Sequence, residues 1–184
     1  LARAQDTDTA RAVARDAAFS FIYRANLDCL VAMGAALKFF SPLSDDPVPC
    51  ADSLYLPGGY PELHATRLAS NRRWLDSLHA FASAGRPLLA ECGGMMVLFD
   101  ALVTLEGRSH VMAGLLPGKV TMHERLAAIG LQSPRLPQGE LRGHAFHHSQ
   151  LDTALTPAYE CAPHRYGRGE LVYRRGAITA SYLH

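Results

Sequence analysis

A glycine pair placed directly after a short apolar run constrains this chain more than any other feature. Residues 87–91 have the length and hydrophobicity of a buried strand, Cys92 follows them, and Gly93 and Gly94 open an apolar segment of helical character. This order predicts a strand, a strained turn carrying Cys92, and a helix. Backbone amides at such a turn favour a thiolate and can hold an oxyanion. Taken alone, the pattern also fits a buried, unreactive cysteine before a glycine-rich loop.

Hydrophobic periodicity predicts alternating strands and helices in the first hundred residues. We expect strands at 11–15, 37–40, 53–56 and 88–91, and helices at 21–36, 71–84 and 95–102, with Ser70 or Asn71 as the N-cap of the second helix. These lengths predict a mostly parallel sheet covered on both faces. After Gly107, short segments at 139–149, 170–173 and 177–182 predict added antiparallel strands, with a hairpin around residues 174–176.

The bulk composition excludes several classes of protein. The 184 residues suit one α/β domain over residues 1–184, and a net charge of +1 gives no reason to expect nucleic acid or an anionic membrane as a partner. No apolar run has the length of a membrane span, and no leader is recognisable. The four cysteines lack C-x-x-C spacing, so we expect no zinc or redox site and a cytoplasmic location. A first residue of Leu suggests a fragment of a longer chain.

Two glycine loops are predicted to meet at the carboxyl edge of the sheet, where α/β proteins bind ligands. One is the loop from Pro57 to Pro61, which contains Gly58 and Gly59, and the other contains Gly93. Glycine lets the backbone approach a ligand closely. The amide of Gly58 or Gly59, together with that of Gly93, therefore forms a candidate oxyanion hole, although the first loop alone also fits a plain turn.

A cysteine nucleophile needs a base, and histidine is the usual one. His184 follows the apolar strand predicted at 178–183, which makes it a candidate base; the alternative is a frayed terminal residue. In the segment 143–149, alternation places His144 on one face, and His147 and Ser149 on the other. Metal binding there would need further ligands, so we expect none. Other histidines, among them His164, have no special context.

Four strings in a fixed order resemble one family, the glutaminase domain of cobyrinic or hydrogenobyrinic acid a,c-diamide synthase. They read LPGGYPEL at 56–63, AECGGMM at 90–96, GHAFHHS at 143–149 and ASYLH at 180–184. The segment 13–21 also resembles the first strand of that domain and its following loop. The resemblance covers nearly the whole chain and implies a class I glutamine amidotransferase fold, which is a flavodoxin-like three-layer α/β architecture.

The resemblance also implies a function for these residues. Cys92 would attack the side-chain amide of glutamine and His184 would transfer the proton, while Gly58, Gly59 and Gly93 hold the oxyanion. We expect His144, His147 and Ser149 to bind the substrate. The released ammonia would amidate the a and c carboxylates of the corrin precursor in cobalamin biosynthesis. This domain would need no cofactor of its own, because ATP and Mg would belong to an N-terminal synthetase domain whose phosphate loop is absent from this sequence.

The sequence departs from the family pattern at two positions. Met96 stands where many class I amidotransferases have Gln, and Ala145 stands where family members usually have Glu. The commoner triad adds a Glu two residues after the histidine, beyond this sequence, so only a dyad of Cys92 and His184 is assigned. Two alternatives stay open. One is the glutaminase of a related ligase, either cobyric acid synthase or the amidase of lipid-linked cell-wall precursors; the other is a catalytically silent docking module.

Overall fold

The computed structural model describes residues 9–137, 139–163 and 169–184, so His164 lies outside the described residues. The helices are α1 (Arg24–Ala32), α2 (Ala65–Ser70), α3 (Arg72–Ser83) and α4 (Gly93–Met96), and 3₁₀ turns lie at Pro42–Ser44 and Pro61–His64. No described helix has the length and hydrophobicity to span a bilayer. The strands are β1 (Thr9–Ala14), β2 (Ala35–Phe40), β3 (Ser53–Leu56), β4 (Leu88–Glu91), β5 (Phe99–Val103), β6 (Ser109–Val111), β7 (Leu116–Met122), β8 (Ala128–Ser133), β9 (Arg135–Leu136), β10 (Gly139–Glu140), β11 (Gly143–His147), β12 (Ser149–Asp152), β13 (Tyr159–Glu160), β14 (Ala162–Pro163), β15 (Leu171–Arg175) and β16 (Ile178–Ser181).

A seven-stranded sheet forms the centre of the molecule, in the order β13-β15-β16-β4-β3-β1-β2. The five strands from β16 to β2 run parallel, and β15 and β13 add antiparallel pairs at one edge. Ala90 of β4 pairs with Leu56 of β3 and with Ala180 of β16, so three strands end together. This confirms the predicted mostly parallel sheet with added antiparallel strands, including the hairpin between β15 and β16.

The main hydrophobic core lies on one face of this sheet, against α3. Trp74, Leu75, Leu78 and Phe81 of α3 are all buried at helical spacing, as the sequence predicts. They belong to the same cluster as Leu54 and other side chains of the central strands. A second, much smaller cluster of Val13, Leu27 and Tyr55 lies under α1 on the other face. The two faces are therefore covered unequally.

Two predicted helices differ from the structure. The segment 95–102 is a single turn of helix, α4, followed by the strand β5. It is buried throughout from Met95 to Phe99, and an apolar run without polar positions does not distinguish helix from strand. The residues after α4 form a strand because β5 pairs with β6 and β7. The helix predicted at 21–36 is only α1, because Gly34 takes a φ of +87° after it and β2 begins.

Candidate active site

Cys92 occupies the turn between β4 and α4 in a conformation that few side chains adopt. Its φ is 47° and its ψ is −112°, and among the described residues Asp45 is the other non-glycine with positive φ. Such backbone strain clusters at functional sites. The Cys92 amide donates a hydrogen bond of 2.8 Å to the Ser181 carbonyl of β16. The predicted strained turn is therefore present, and it is tied directly to the strand that leads to His184.

The two glycine loops pack backbone against backbone beside Cys92. A Cβ added at Gly93 would lie 2.8 Å from the Gly59 carbonyl oxygen, and one added at Gly94 would lie 2.1 Å from the Leu56 carbonyl oxygen. A Cβ added at Gly58 would lie 3.5 Å from the Cβ of Cys92, in ordinary contact. The structure thus brings Gly58, Gly59 and Gly93 to Cys92 because no side chain keeps the loops apart.

A pocket of about 220 Å³ opens in front of this turn. Its wall includes both Cys92 and His184, although the two residues are 92 positions apart in sequence. The remaining lining residues are Phe21, Gly59, Tyr60, His144 and Phe146. The aromatic side chains at the mouth are partly exposed, with Phe21 at 42%, Tyr60 at 53% and Phe146 at 45%. The pocket therefore combines a thiol, an imidazole and an apolar rim.

The imidazole of His184 is buried and has no hydrogen-bond partner at either ring nitrogen. Its ring lies edge-on to Phe21, with 4.7 Å between the ring centroids, and 5.7 Å from the ring of His144. Burial lowers the pKa of His184 below its ordinary value, a contact with the Tyr182 backbone opposes this only in part, and the His144 and His147 rings lower the pKa further. A neutral imidazole with a free nitrogen is the form that can accept a proton.

The thiol of Cys92 differs from the sequence expectation. Burial raises its pKa to about 12, and the Gly93 amide opposes that shift only in part. The helix that follows is one turn long, so its dipole is small. The resting form is therefore the thiol, which donates a weak 3.8 Å hydrogen bond to the Phe146 carbonyl. Nucleophilic attack from this state requires a base to remove the proton.

The strand β11 divides the expected substrate-binding residues between two environments. His144 lines the pocket with Cys92, whereas His147 and Ser149 do not line it. His147 bonds the Glu170 carboxylate at 2.9 Å and the Ser149 carbonyl at 2.9 Å. The hydroxyl of Ser149 donates to the Tyr182 hydroxyl at 2.8 Å, and the His147 ring stacks on that tyrosine at 3.7 Å. His147 and Ser149 thus connect the ends of β11 and β12 to Tyr182, which follows β16.

Several residues of the site were not singled out by sequence reasoning. Phe21, Tyr60 and Phe146 line the pocket, and Glu170 anchors His147. Tyr60 and Phe146 lie inside the strings 56–63 and 143–149, so the sequence did contain a pattern that could have identified them as site residues. No local pattern marks Glu170, because its partner is 23 positions away. Among the described residues, no cluster of histidine, cysteine or acidic side chains has the arrangement of a metal site.

Asp16 organises the loop beneath the glycines. Its carboxylate accepts hydrogen bonds from the amides of Ala18 and Phe19, and from the hydroxyl of Ser41 and the amide of Leu43. The loop it fixes is pressed against Gly59, where an added Cβ would lie 2.2 Å from the Ala18 carbonyl oxygen. Asp16 therefore supports the glycine loop of the site through the first βα connection.

Comparison with known proteins gives one consistent family. Residues 12–184 match the model of the CobB/CobQ-like glutamine amidotransferase domain. The chain is 53% identical over 175 residues to a cobyrinate a,c-diamide synthase of Herminiimonas arsenicoxydans, covering 94% of this chain and 40% of that protein. It is also 53% identical over 173 residues to a hydrogenobyrinate a,c-diamide synthase of Pseudomonas aeruginosa, with the same coverage. The chain thus spans about 40% of the length of these relatives.

Solved structures support the fold. A glutamine amidotransferase from Thermotoga maritima superposes with a TM-score of 0.64 at 14% identity, covering 97% of this chain and 76% of that chain. The PurLQS structure from Thermotoga maritima gives a TM-score of 0.65 at 12% identity, covering 97% of this chain and 88% of that chain. At these identities the likeness shows the fold, which is the class I amidotransferase fold expected from the resemblance.

Proposed function

Because the chain belongs to the CobB/CobQ-like glutamine amidotransferase family, we propose that it hydrolyses glutamine and releases ammonia through a dyad of Cys92 and His184. One observation is the main support for this proposal. Cys92, in its strained turn, shares a pocket of about 220 Å³ with the unpartnered, buried imidazole of His184. A thiol nucleophile beside a neutral base is the arrangement that nucleophilic acyl transfer requires.

The reaction begins with transfer of the Cys92 proton to a ring nitrogen of His184. The sulfur attacks the side-chain carbonyl carbon of glutamine, and the oxygen becomes an oxyanion. Amides of Gly93 and of Gly58 or Gly59 stabilise it, an effect that is worth ~10²–10³-fold in rate per donor elsewhere. His184 then returns the proton to the leaving nitrogen, and ammonia departs. Water, deprotonated by His184, hydrolyses the thioester to glutamate and restores the thiol.

The proposal assigns His144 and Phe146 to glutamine binding, because both line the pocket. His147 and Ser149, which the sequence also suggested as substrate ligands, take a supporting role here. His147 bonds Glu170 and Ser149 bonds Tyr182, and these contacts hold β11 in place beside the pocket. The base itself is His184 rather than His144, since both of its ring nitrogens are buried and lack a partner.

The ammonia would serve a larger enzyme. The relatives are named as cobyrinate and hydrogenobyrinate a,c-diamide synthases and are about two and a half times longer than the matched region. We therefore propose that this domain supplies ammonia to an ATP- and Mg-dependent synthetase domain of the same polypeptide in the cytoplasm. That domain would activate the a and c carboxylates of the corrin precursor for amidation. The matched relatives favour this assignment over cobyric acid synthase and over a cell-wall precursor amidase.

Covalent labelling tests the proposal. Full-length protein incubated with a diazo-ketone analogue of glutamine is expected to gain one adduct, and peptide mass spectrometry is expected to place it on Cys92. Cys92→Ser serves as the negative control, and the exposed Cys50 in the same molecule reports non-specific alkylation. Absence of any adduct would support a silent docking module. An adduct on Cys29 or Cys161 would reject Cys92 as the nucleophile.

A further inference from the structure

Three carboxylates lie near the Cys92 thiol, and one of them has no partner. Burial has the largest effect on the pKa of this thiol, and all three carboxylates raise it further, Glu62 more than Glu170 and Glu91. Glu170 bonds the ring of His147 at 2.9 Å, and Glu91 accepts a hydrogen bond from a tyrosine hydroxyl. Among the residues that the structure describes, no other side chain donates a hydrogen bond to Glu62 or forms an ion pair with it. Glu62 thus differs from the other two carboxylates in having no side-chain donor.

The turn that carries Glu62 is fixed against the start of α4. This 3₁₀ turn begins at Pro61, and a Cβ added at Gly93 would lie 2.8 Å from the Cδ of that proline. Burial raises the pKa of Glu62, and its own backbone amide and the nearby His148 oppose this only in part. The ring of His148 lies 5.7 Å from that of Phe146, which lines the active-site pocket. Glu62 is therefore a half-buried carboxylate beside this pocket.

A carboxylate in this place is unfavourable in the absence of substrate. Its negative charge opposes formation of the thiolate that attacks the substrate. A half-buried carboxylate without a side-chain donor has also lost part of its hydration and gained little hydrogen bonding in return. Both effects are relieved when a positively charged group binds to Glu62. Because no described side chain forms an ion pair with Glu62, that group is expected to arrive with the substrate.

Glutamine carries a suitable group, its α-ammonium, so the inference rests on the proposed glutaminase function. Four bonds separate the amide carbon of glutamine from its α-nitrogen, which places the two atoms roughly 5 Å apart in an extended molecule. The described lining of the pocket contains no carboxylate, so the counter-charge for the ammonium has to come from beside the lining. We propose that Glu62 binds the α-ammonium group of glutamine and selects substrates that carry this group. Binding pairs the negative charge that otherwise opposes the Cys92 thiolate.

The test compares glutamine with 4-carbamoylbutanoate, which has the same amide and carboxylate but a hydrogen in place of the α-amino group. Ammonia release from both amides is measured with the full-length protein and with its Glu62→Gln variant. We expect the variant to lower kcat/KM about 10–100-fold for glutamine and less than about threefold for the analogue, because only glutamine loses an ion pair. Equal losses for both amides would indicate a structural effect and overturn the proposal. Glu124→Gln is the matched control and should leave both values unchanged, because Glu124 is exposed and contacts His148 through its backbone carbonyl.

Binding measured without turnover separates this inference from the proposed function. Full-length Cys92→Ala protein is titrated with glutamine by calorimetry, with and without the additional Glu62→Gln change. We expect the second change to weaken glutamine binding about 10-fold or more and to leave binding of 4-carbamoylbutanoate nearly unchanged. Binding that depends on Glu62, without glutamine hydrolysis by the unmodified protein, would contradict the proposed function alone. Hydrolysis with binding that does not depend on Glu62 would contradict this inference alone, and absence of glutamine binding would contradict both.

Discussion

His184 and His144 bind each other through two backbone hydrogen bonds. The amide of His144 donates to the carbonyl of His184 at 2.7 Å, and the amide of His184 donates to the carbonyl of His144 at 3.0 Å. A residue beyond the end of a strand is otherwise prone to fray. These bonds attach His184 to β11, whose Phe146 carbonyl also accepts from the Cys92 thiol. The proposed base and nucleophile are thus held by the same strand.

Replacement of His184 tests the base directly. His184→Asn is expected to lower kcat for glutamine hydrolysis by ~10²–10⁴-fold, the range for loss of general acid–base catalysis. Folding is expected to persist, because the backbone bonds to His144 do not involve the side chain. Circular dichroism is the control for folding. Replacement of His144 by Asn should raise KM more than it lowers kcat, and the opposite result would transfer the role of base to His144.

The pH dependence of kcat/KM follows from the two shifted groups. Neutral His184 is the active form, and burial lowers its pKa, so it stays deprotonated at pH values where an ordinary histidine is already protonated. The acid limb is therefore expected below 6.5, the ordinary value for histidine. The Cys92 thiol, with a pKa of about 12, adds no limb near neutrality. Rates measured across the pH range check this, and an acid limb well above 6.5 would contradict it.

The buried pair of His147 and Glu170 is expected to stabilise the domain. Their side chains are 8% and 13% exposed, and the contact is 2.9 Å. Glu170→Ala is expected to lower the free energy of unfolding by about 3 kcal/mol, because it leaves the buried Nε2 of His147 without a hydrogen-bond partner. The control is Asp28→Asn, which removes the exposed pair with Arg24 and should cost less than about 0.5 kcal/mol. Urea denaturation measures both, and equal losses would contradict the prediction.

The two glycines of the first loop are expected to respond differently to a methyl group. Gly59→Ala places a Cβ 2.2 Å from the Ala18 carbonyl oxygen at a φ of +153°, so we expect a loss of about 2–3 kcal/mol or failure to fold. Gly58→Ala meets its neighbours at 3.4 Å or more and should fold normally. Thermal denaturation of both variants gives the comparison. Similar melting temperatures would contradict the close packing of Gly59 on the Asp16 loop.

The carboxylate of Asp16 is expected to matter for the same loop. It accepts hydrogen bonds from three backbone amides and one hydroxyl. Asp16→Ala is expected to lower the free energy of unfolding by at least about 3 kcal/mol, since hydrogen bonds to charged groups contribute ~1.5–3 kcal/mol each. Asp16→Asn retains an acceptor and should lose less. Chemical denaturation checks the order, and glutaminase activity should fall in the same order.

Local sequence patterns were sufficient for much of the sheet and for the strained turn at Cys92. The strands β3 and β4 have the predicted bounds, because each is a short apolar run closed by proline, glycine or cysteine. The turn at Cys92 follows from two glycines placed after such a run. The alternation predicted over residues 143–149 correctly separated His144 from His147 and Ser149. These features depend on neighbours within a few residues, so the sequence alone determines them.

The tertiary structure decided what depends on distant partners. The segment after Met96 contains a strand because β7 pairs with it, and the uninterrupted burial from Met95 to Phe99 left no periodic signal there. Asn71 is the N-cap residue of α3, as predicted, but its side chain makes no capping hydrogen bond, and the Trp74 amide donates instead to the Asp45 carboxylate at 2.9 Å. The thiol of Cys92 has a raised rather than a lowered pKa because β11 and β16 bury it. Burial, pairing and desolvation arise only when segments far apart in sequence pack together, and no local pattern carries them.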